Sequence, residues 1–326
     1  MIVFAFLFIM ILLYFKIADK YNIIDKPNHR SAHTEITLRG GGIIFPVSFL
    51  LFVIGESYLG NSLTQPQNFL IFGAGFLSIC TISFVDDIID LSSKIRLIFH
   101  FLSVTLLLYF LHAFQLLPIW AIPILYILII GILNAYNFMD GINGMSGLYS
   151  LVNLATLIYV NKQVIEFTNS DFIGYPLLAC LVFLFFNFRK KAKCFMGDIG
   201  SLGIAYWILA LIGLLVMKTG ELKWILLLTV YGTEVVFTIL ERIQLKENIF
   251  EAHRRHLYQL FANEKKTSHL VVSSVYAGAQ LLINIIILFC NCADWLIFAM
   301  LVLPTAISYL FLKKMIKKQV FAPKNN

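Results

Sequence analysis

The chain has 326 residues, of which 60% are hydrophobic and only 13% charged, with 25 Lys and Arg against 18 Asp and Glu for a formal net charge of +7. Soluble globular domains carry about 25% charged residues, so this composition excludes a soluble enzyme and places the chain in a lipid bilayer. The basic excess calls for no nucleic acid, because charge bias between membrane loops produces the same sum.

A helix needs about 20 apolar residues to cross the hydrocarbon layer. Runs that qualify lie at 2–17, 42–59, 69–85, 96–114, 118–138, 143–160, 172–188, 201–217, 222–240, 269–290 and 293–312. The expected fold class is therefore all-α: one integral membrane domain over residues 1–326, with eleven transmembrane helices and its termini on opposite sides. The first run lacks a basic leader and a small-residue cleavage site, which reads as a retained helix. Placing the connections after the odd-numbered runs and the C-terminal tail on one side collects every Lys and Arg except Lys162, Lys218 and Lys223. The positive-inside rule makes that side cytoplasmic, with the N-terminus outside and the C-terminus inside. The tail KKMIKKQVFAPK reads as a contact with anionic headgroups. The cysteines at 80, 180, 194, 290 and 292 form no CxxC pair and no zinc-type Cys/His spacing.

Polar chemistry gathers in the cytoplasmic connections. The first, DKPNHRSAHTEITLRGGG, offers Arg30, His33 and Arg39 before three glycines, without the GxGxxG of a dinucleotide fold. At the end of the third run, FVDDIIDLSSKIRL brings Asp86, Asp87 and Asp90 within five positions. On a continuing helix Asp86 and Asp90 share a face and Asp87 points about 100° away. Clustered carboxylates repel unless a cation neutralises them, which suits Mg²⁺ or a diphosphate–Mg²⁺ complex; a solvated turn balanced by Lys94 and Arg96 is the plain alternative. NAYNFMDGINGMSG sets Asp140 between Asn137 and Asn143, with glycines that let helices approach closely. KAKCFMGDIGSLG puts Asp198 at a helix N-terminus, where backbone N–H groups can meet a phosphate, or where Asp198 or Ser201 simply caps. EAHRRHLYQLF holds His253, Arg254, Arg255 and His256, a cationic group suited to phosphate oxygens or to lipid headgroups.

In this order RSAHTEITLRGGG, FVDDIIDLSSKIRL, NAYNFMDGING, AKCFMGDIGS and HRRHLYQ resemble the polyprenyl-phosphate N-acetylhexosamine-1-phosphate transferases of glycosyltransferase family 4, over about residues 25 to 260. That group includes WecA-like, O-antigen-initiating enzymes and the phospho-N-acetylmuramoyl-pentapeptide transferase. The resemblance implies transfer of a sugar 1-phosphate from a UDP-N-acetylhexosamine such as UDP-N-acetylglucosamine to undecaprenyl phosphate, with release of UMP. It implies Mg²⁺ or Mn²⁺ as cofactor, the inner membrane of a bacterium as location, and a lipid-linked surface glycan such as O-antigen or capsule as product. It assigns catalytic roles to Asp86, Asp87 and Asp198, the metal to Asp198, and substrate contacts to Asn137, Asp140, Asn187, His253 and His256, beside the cationic Arg39, Arg254 and Arg255. It leaves a homodimer open. The chain departs from the family in having Asn143 where many members carry Asp, Leu38 where many carry Pro, and HRRH in place of the three histidines of the pentapeptide transferase, which turns the reading away from peptidoglycan. Outside the family, a UbiA-type prenyltransferase should carry two DxxxD-type motifs, and a transporter should place ionisable groups at mid-span. This chain has one DDxxD and few mid-span charges, Glu56 and Glu234 being the nearest.

Overall fold

The computed structural model describes residues 1–25, 36–65, 67–248 and 254–320. Its helices are α1 (Ile2–Lys20), α2 (Ile44–Tyr58), α3 (Phe69–Ile88), α4 (Ser93–Phe110), α5 (Ala113–Leu116), α6 (Ala121–Met139), α7 (Met145–Gln163), α8 (Ser170–Asn187), α9 (Gly197–Thr219), α10 (Thr229–Gln244), α11 (Leu257–Gln259), α12 (His269–Phe289) and α13 (Asp294–Val320). Two short strands, β1 (Ile24–Asp25) and β2 (Thr37–Leu38), pair antiparallel between α1 and α2. The all-α polytopic architecture expected from hydropathy is the one observed.

Among the described residues ten segments are long and apolar enough to cross a membrane, where eleven are expected. The exception is α7, which runs the same distance but carries Ser146, Ser150, Asn153, Thr156 and Asn161, all buried. Its start is held at the motif end, where Gly144 N–H donates to Asn187 Oδ1 at 2.6 Å. Its far end folds back through Asn161, whose Oδ1 accepts from the N–H groups of Phe167 and Thr168. Nearby, Asn169 Nδ2 donates to Glu56 Oε2 at the end of α2, 2.7 Å away. So α7 traverses the protein as an interior helix, and its polar side chains face neighbouring helices. Gln280 and Asn284 of α12 answer them: Tyr149 OH donates to Gln280 Oε1 at 2.7 Å, and Asn284 Nδ2 donates to Asn153 Oδ1 at 3.1 Å and Thr156 Oγ1 at 2.9 Å. In a bilayer, where lipid is as apolar as leucine, such interhelical bonds replace the hydrophobic drive for association.

The centre of the bundle is α9, 89% of whose spanning stretch is buried, against 22% for α1 and 17% for α13. Gly-rich at its start and apolar over most of its remaining length, α9 is enclosed chiefly by α3 and α6. Phe49, Phe72, Phe76, Phe172 and Trp207 interlock around it with ring centroids 4.8–5.7 Å apart, each such pair contributing about 0.5–1.5 kcal/mol beyond area burial. The outward residues of α1 and α13, among them Ile9, Leu13, Ile17, Leu303 and Ile307, are exposed aliphatics suited to lipid contact. Polar capping sets the entry of α3, where Asn68 Oδ1 accepts from Ile71 N–H. The arrangement delivers the ends of α3, α6 and α8 and the starts of α2, α7 and α9 to one face.

The basic tail of α13 is engaged in part within the protein. Lys313 Nζ lies 2.6 Å from Glu241 Oε2 on α10, and Lys317 pairs with the same carboxylate. Two of the five lysines of that tail, Lys313 and Lys317, therefore make an internal contact that fastens α13 to α10.

Candidate active site

The carboxylate at the heart of the motif end is Asp87, whose side chain is wholly buried. Its Oδ1 is 2.8 Å from Arg39 Nε and accepts from Asp198 N–H at 2.9 Å, while Oδ2 accepts from Ile199 N–H at 3.2 Å. Asp87 thus caps the first turn of α9 from outside and fixes the Arg39 guanidinium at the same time. A carboxylate is the right partner there, since the helix start presents unpaired N–H groups and partial positive charge. Gly197 is the matching device: its φ is +74°, and a Cβ on it would sit 2.6 Å from Asp87 Oδ2.

Asp198, released from capping duty, turns its carboxylate outward. Among the described residues it is held by two long contacts, Arg39 Nη2 at 3.4 Å and Asn137 Nδ2 at 3.3 Å. Asn137 is itself oriented by Ser201, whose Oγ donates to Asn137 Oδ1 at 2.9 Å. Asp140, half-buried just past the end of α6, completes the group. Burial pushes the Asp140 carboxyl up to about 8, with Ser146 working against the rise, the charges of Asp198 and Asp87 adding to it, and Arg39 offsetting part. Burial alone would lower the Arg39 guanidinium, but Asp87, Asp198 and Asp25 outweigh it and hold it above its ordinary value. Three carboxyl groups around one arginine gather an excess of hard oxygen donors. Among the described residues no three His, Cys, Asp or Glu side chains stand close enough to enclose a metal by themselves.

The loop backbones reach this proximity through close approach of two glycines. Gly41 N–H donates to Phe195 O and Gly42 N–H to Met196 O, at 2.8 and 2.9 Å, and a Cβ on Gly42 would lie 2.1 Å from Gly200 Cα. The run of three glycines after Arg39 is therefore a backbone seam against the GDIGS turn.

Beside the seam opens a cleft of about 750 Å³. Its basic side chains are Lys190, Lys191, Arg254 and Lys266, with His269 beside them, and Thr37 and Phe195 join it to the stretches bearing Arg39 and Asp198.

Residues 69–217 match the family model of glycosyl transferase family 4. The match covers a little under half of the chain. It spans α3 to α9 and so contains the DD pair, the Asn137–Asp140 loop and the Asp198 turn. No curated protein matches the chain. The match supports, in general terms, a polyprenyl-phosphate sugar-phosphate transferase set in a membrane.

Within and around the matched stretch the expected residues separate into groups. Arg39, Asp87, Asn137, Asp140 and Asp198 come together as described. Asp86 is turned aside, because α3 ends at Ile88: Asp86 Oδ1 accepts from Leu91 N–H and Oδ2 pairs with Arg96 at 2.9 Å, leaving Asp90 exposed beyond the helix. The expectation that Asp86 and Asp90 share a helical face is thereby corrected. Asn187 is buried and braces two loops, accepting from Gly144 N–H and donating to Cys194 O at 2.9 Å. Arg254 lines the cleft, whereas Arg255 pairs with Glu247 and lies 3.6 Å from Glu241. His256 is buried, its Nδ1 3.4 Å from Glu234 Oε1 and its ring stacked on Tyr258. His253 lies outside the described residues, as do Arg30 and His33.

Sequence reasoning missed Tyr258, whose OH donates to Phe138 O at 2.8 Å and pins the HRRHLYQ loop beside Asp140. It also read Lys190, Lys191 and Lys266 purely as orientation charge. The available signal was their position, directly before the Asp198 turn and directly before α12.

Proposed function

We propose that the chain transfers an N-acetylhexosamine 1-phosphate from a UDP-sugar to undecaprenyl phosphate at the cytoplasmic face of a bacterial inner membrane, releasing UMP. The observation that carries the reading is the junction of a basic cleft with an outward carboxylate, Asp198, at a membrane-bundle end. A nucleoside diphosphate sugar brings two phosphates and one planar base; Lys190, Lys191, Arg254 and Lys266 offer charge-assisted hydrogen bonds to the first, and Phe195 a ring for the second. Termination at the membrane surface lets a lipid phosphate approach from the bilayer side.

In the reaction an oxygen of the lipid phosphate attacks the phosphorus that carries the sugar. The bridging P–O bond to the nucleotide breaks, and UMP leaves with the bridging oxygen. A phosphate monoester has a second pKa near 6, so the nucleophile is largely dianionic at neutral pH and its positioning matters as much as its deprotonation. Asp87 is assigned a positioning role on this reading, since all its hydrogen bonds go to Arg39 and the start of α9. Arg39 then presents its remaining N–H groups towards the phosphates. Asp198 and Asp140 fit a Mg²⁺ ion: hard oxygen donors, in excess of the local positive charge, with too few protein ligands to close the shell. When bound, the ion would neutralise charge on the diphosphate.

The test is purified protein with undecaprenyl phosphate and a panel of UDP-sugars, reading UMP release with and without divalent cation. Formation of lipid-linked sugar diphosphate with one UDP-N-acetylhexosamine supports the reading; no UMP with any of them defeats it.

A further inference from the structure

Glu234 has no part in the proposed reaction, yet it is buried at 1% exposure in the second turn of α10. A carboxylate inside a membrane bundle is costly unless donors meet it. Here they come from two other elements. Oε2 accepts from Tyr276 OH of α12 at 2.6 Å, Oε1 accepts from Leu257 N–H at the start of α11, and His256 Nδ1 lies 3.4 Å from the same Oε1. Two of these three partners belong to the HRRHLYQ stretch. From His256 onwards that stretch runs inside the bundle: His256, Leu257 and Tyr258 are buried, and Leu257 and Leu260 cluster with Tyr309 and Ile316 of α13.

The two ends of the stretch are held differently. At the far end Tyr258 OH donates to Phe138 O at 2.8 Å, which ties it to α6 independently of Glu234. At the near end Arg254, just before the residues that Glu234 grips, lines the cleft. A second carboxylate of α10, Glu241, lies two turns on along the same helical face and meets the side chains of Arg255, Lys313 and Lys317. Glu241 meets side chains, whereas Glu234 takes a main-chain N–H and so fixes where the backbone lies. We infer that Glu234 is a positioning residue: it holds the backbone at His256 and Leu257 and thereby sets the reach of Arg254 into the cleft. That this reach serves a nucleotide diphosphate rests on the transferase reading; the anchoring does not.

Hydrogen–deuterium exchange of the detergent-solubilised protein tests the anchor in two variants. Glu234→Gln removes the charge, and Tyr276→Phe takes one donor away while leaving the carboxylate in place, so the second serves if the first fails to fold. Peptides covering residues 254–264 are expected to exchange about threefold faster or more in either variant, the effect of losing one hydrogen bond. Peptides over the start of α9, where Asp87 holds the N–H groups of Asp198 and Ile199, should keep their rates. Unchanged exchange in 254–264 overturns the inference, and so does an equal rise in both regions, which marks general loosening.

Turnover tests what the anchor serves. Glu234→Gln should raise KM for a UDP-N-acetylhexosamine about tenfold with kcat largely kept, the pattern of lost ground-state binding. Adding Arg254→Ala to that variant should cost little more than Arg254→Ala alone, because Glu234 acts through Arg254. Additive losses, or an unchanged KM in Glu234→Gln, overturn the positioning role. If no UDP-sugar is turned over, the transferase reading falls, and the exchange contrast still decides for or against the anchor.

Discussion

Arg39 Nε and Asp87 Oδ1 lie 2.8 Å apart, joining the loop before α2 to the last turn of α3, and the same carboxylate oxygen accepts the N–H of Asp198. One buried group therefore sets the positions of the two residues that face the substrate side. Asp87→Asn keeps the shape and removes the charge. It is expected to cost about 1.5–3 kcal/mol, the range for hydrogen bonds to a charged partner, and to lower Tm in detergent. Arg39→Lys retains charge but cannot span Asp87 and Asp198 together, so activity should fall while Tm changes less than in Asp87→Asn.

Asp198 has the opposite character, its carboxylate making long contacts, at 3.3 and 3.4 Å, among the described residues. Asp198→Asn should fold with a near-normal Tm and lose roughly 100-fold or more in kcat, without rescue by added Mg²⁺, because an amide is a far poorer ligand for a hard cation. Steady-state UMP release over a range of Mg²⁺ concentrations checks this, and normal turnover would leave Asp198 as a bystander.

The glycine seam gives a contrast within one chemistry. Gly42→Ala places a methyl 2.1 Å from Gly200 Cα, backbone against backbone, and should abolish folding yield or activity. Gly131→Ala on α6 meets nothing within 4 Å and should leave both intact, with any change in Tm upward from the better helix propensity of alanine. Expression yield and thermal unfolding of the two variants decide the matter.

The raised Asp140 carboxyl predicts a pH dependence. Its pKa is about 8 in the folded protein and near 4 when unfolded, so between these values folding takes up a proton. The contribution is fully present below about pH 4 and is lost as pH rises through about 8. Relative to Asp140→Asn, the unmodified protein should therefore become progressively less stable across that window, with no further change above it. Thermal unfolding from pH 4 to 9 in a divalent-free buffer measures the gap, and Mg²⁺ should narrow it if the ion binds among these carboxylates.

The His-Arg-Arg-His loop should divide by geometry. Arg254 lines the cleft, so Arg254→Ala should raise KM for every UDP-sugar. Arg255 is engaged with Glu247, whose carboxyl it holds below the usual glutamate range, so Arg255→Ala should leave sugar preference unchanged and loosen the loop. kcat/KM for two UDP-N-acetylhexosamines across both variants tests the division; a switch in preference on losing Arg255 would reverse it.

The amino-acid sequence alone determined that this is an α-helical membrane protein, where most of its spans lie, and that its carboxylates, asparagines and cations fall at their ends. The reason is that a bilayer demands long apolar runs and drives charge to their margins, and both signals are local. Only the tertiary structure decided which carboxylate enters the site. Asp86 and Asp87 are adjacent in sequence and about 100° apart on the helix, so the rotation of α3 against α9 selects Asp87 and sends Asp86 to Arg96. The same holds for α7, whose serines and asparagines weaken its hydropathy until α12 and α8 are seen around it. It holds again for Lys190 and Lys266, one directly after α8 and the other just before α12, which become one cleft when those helices pack. Polarity, length and charge can be read along a chain, but which faces meet depends on helix phase and packing between segments far apart in sequence.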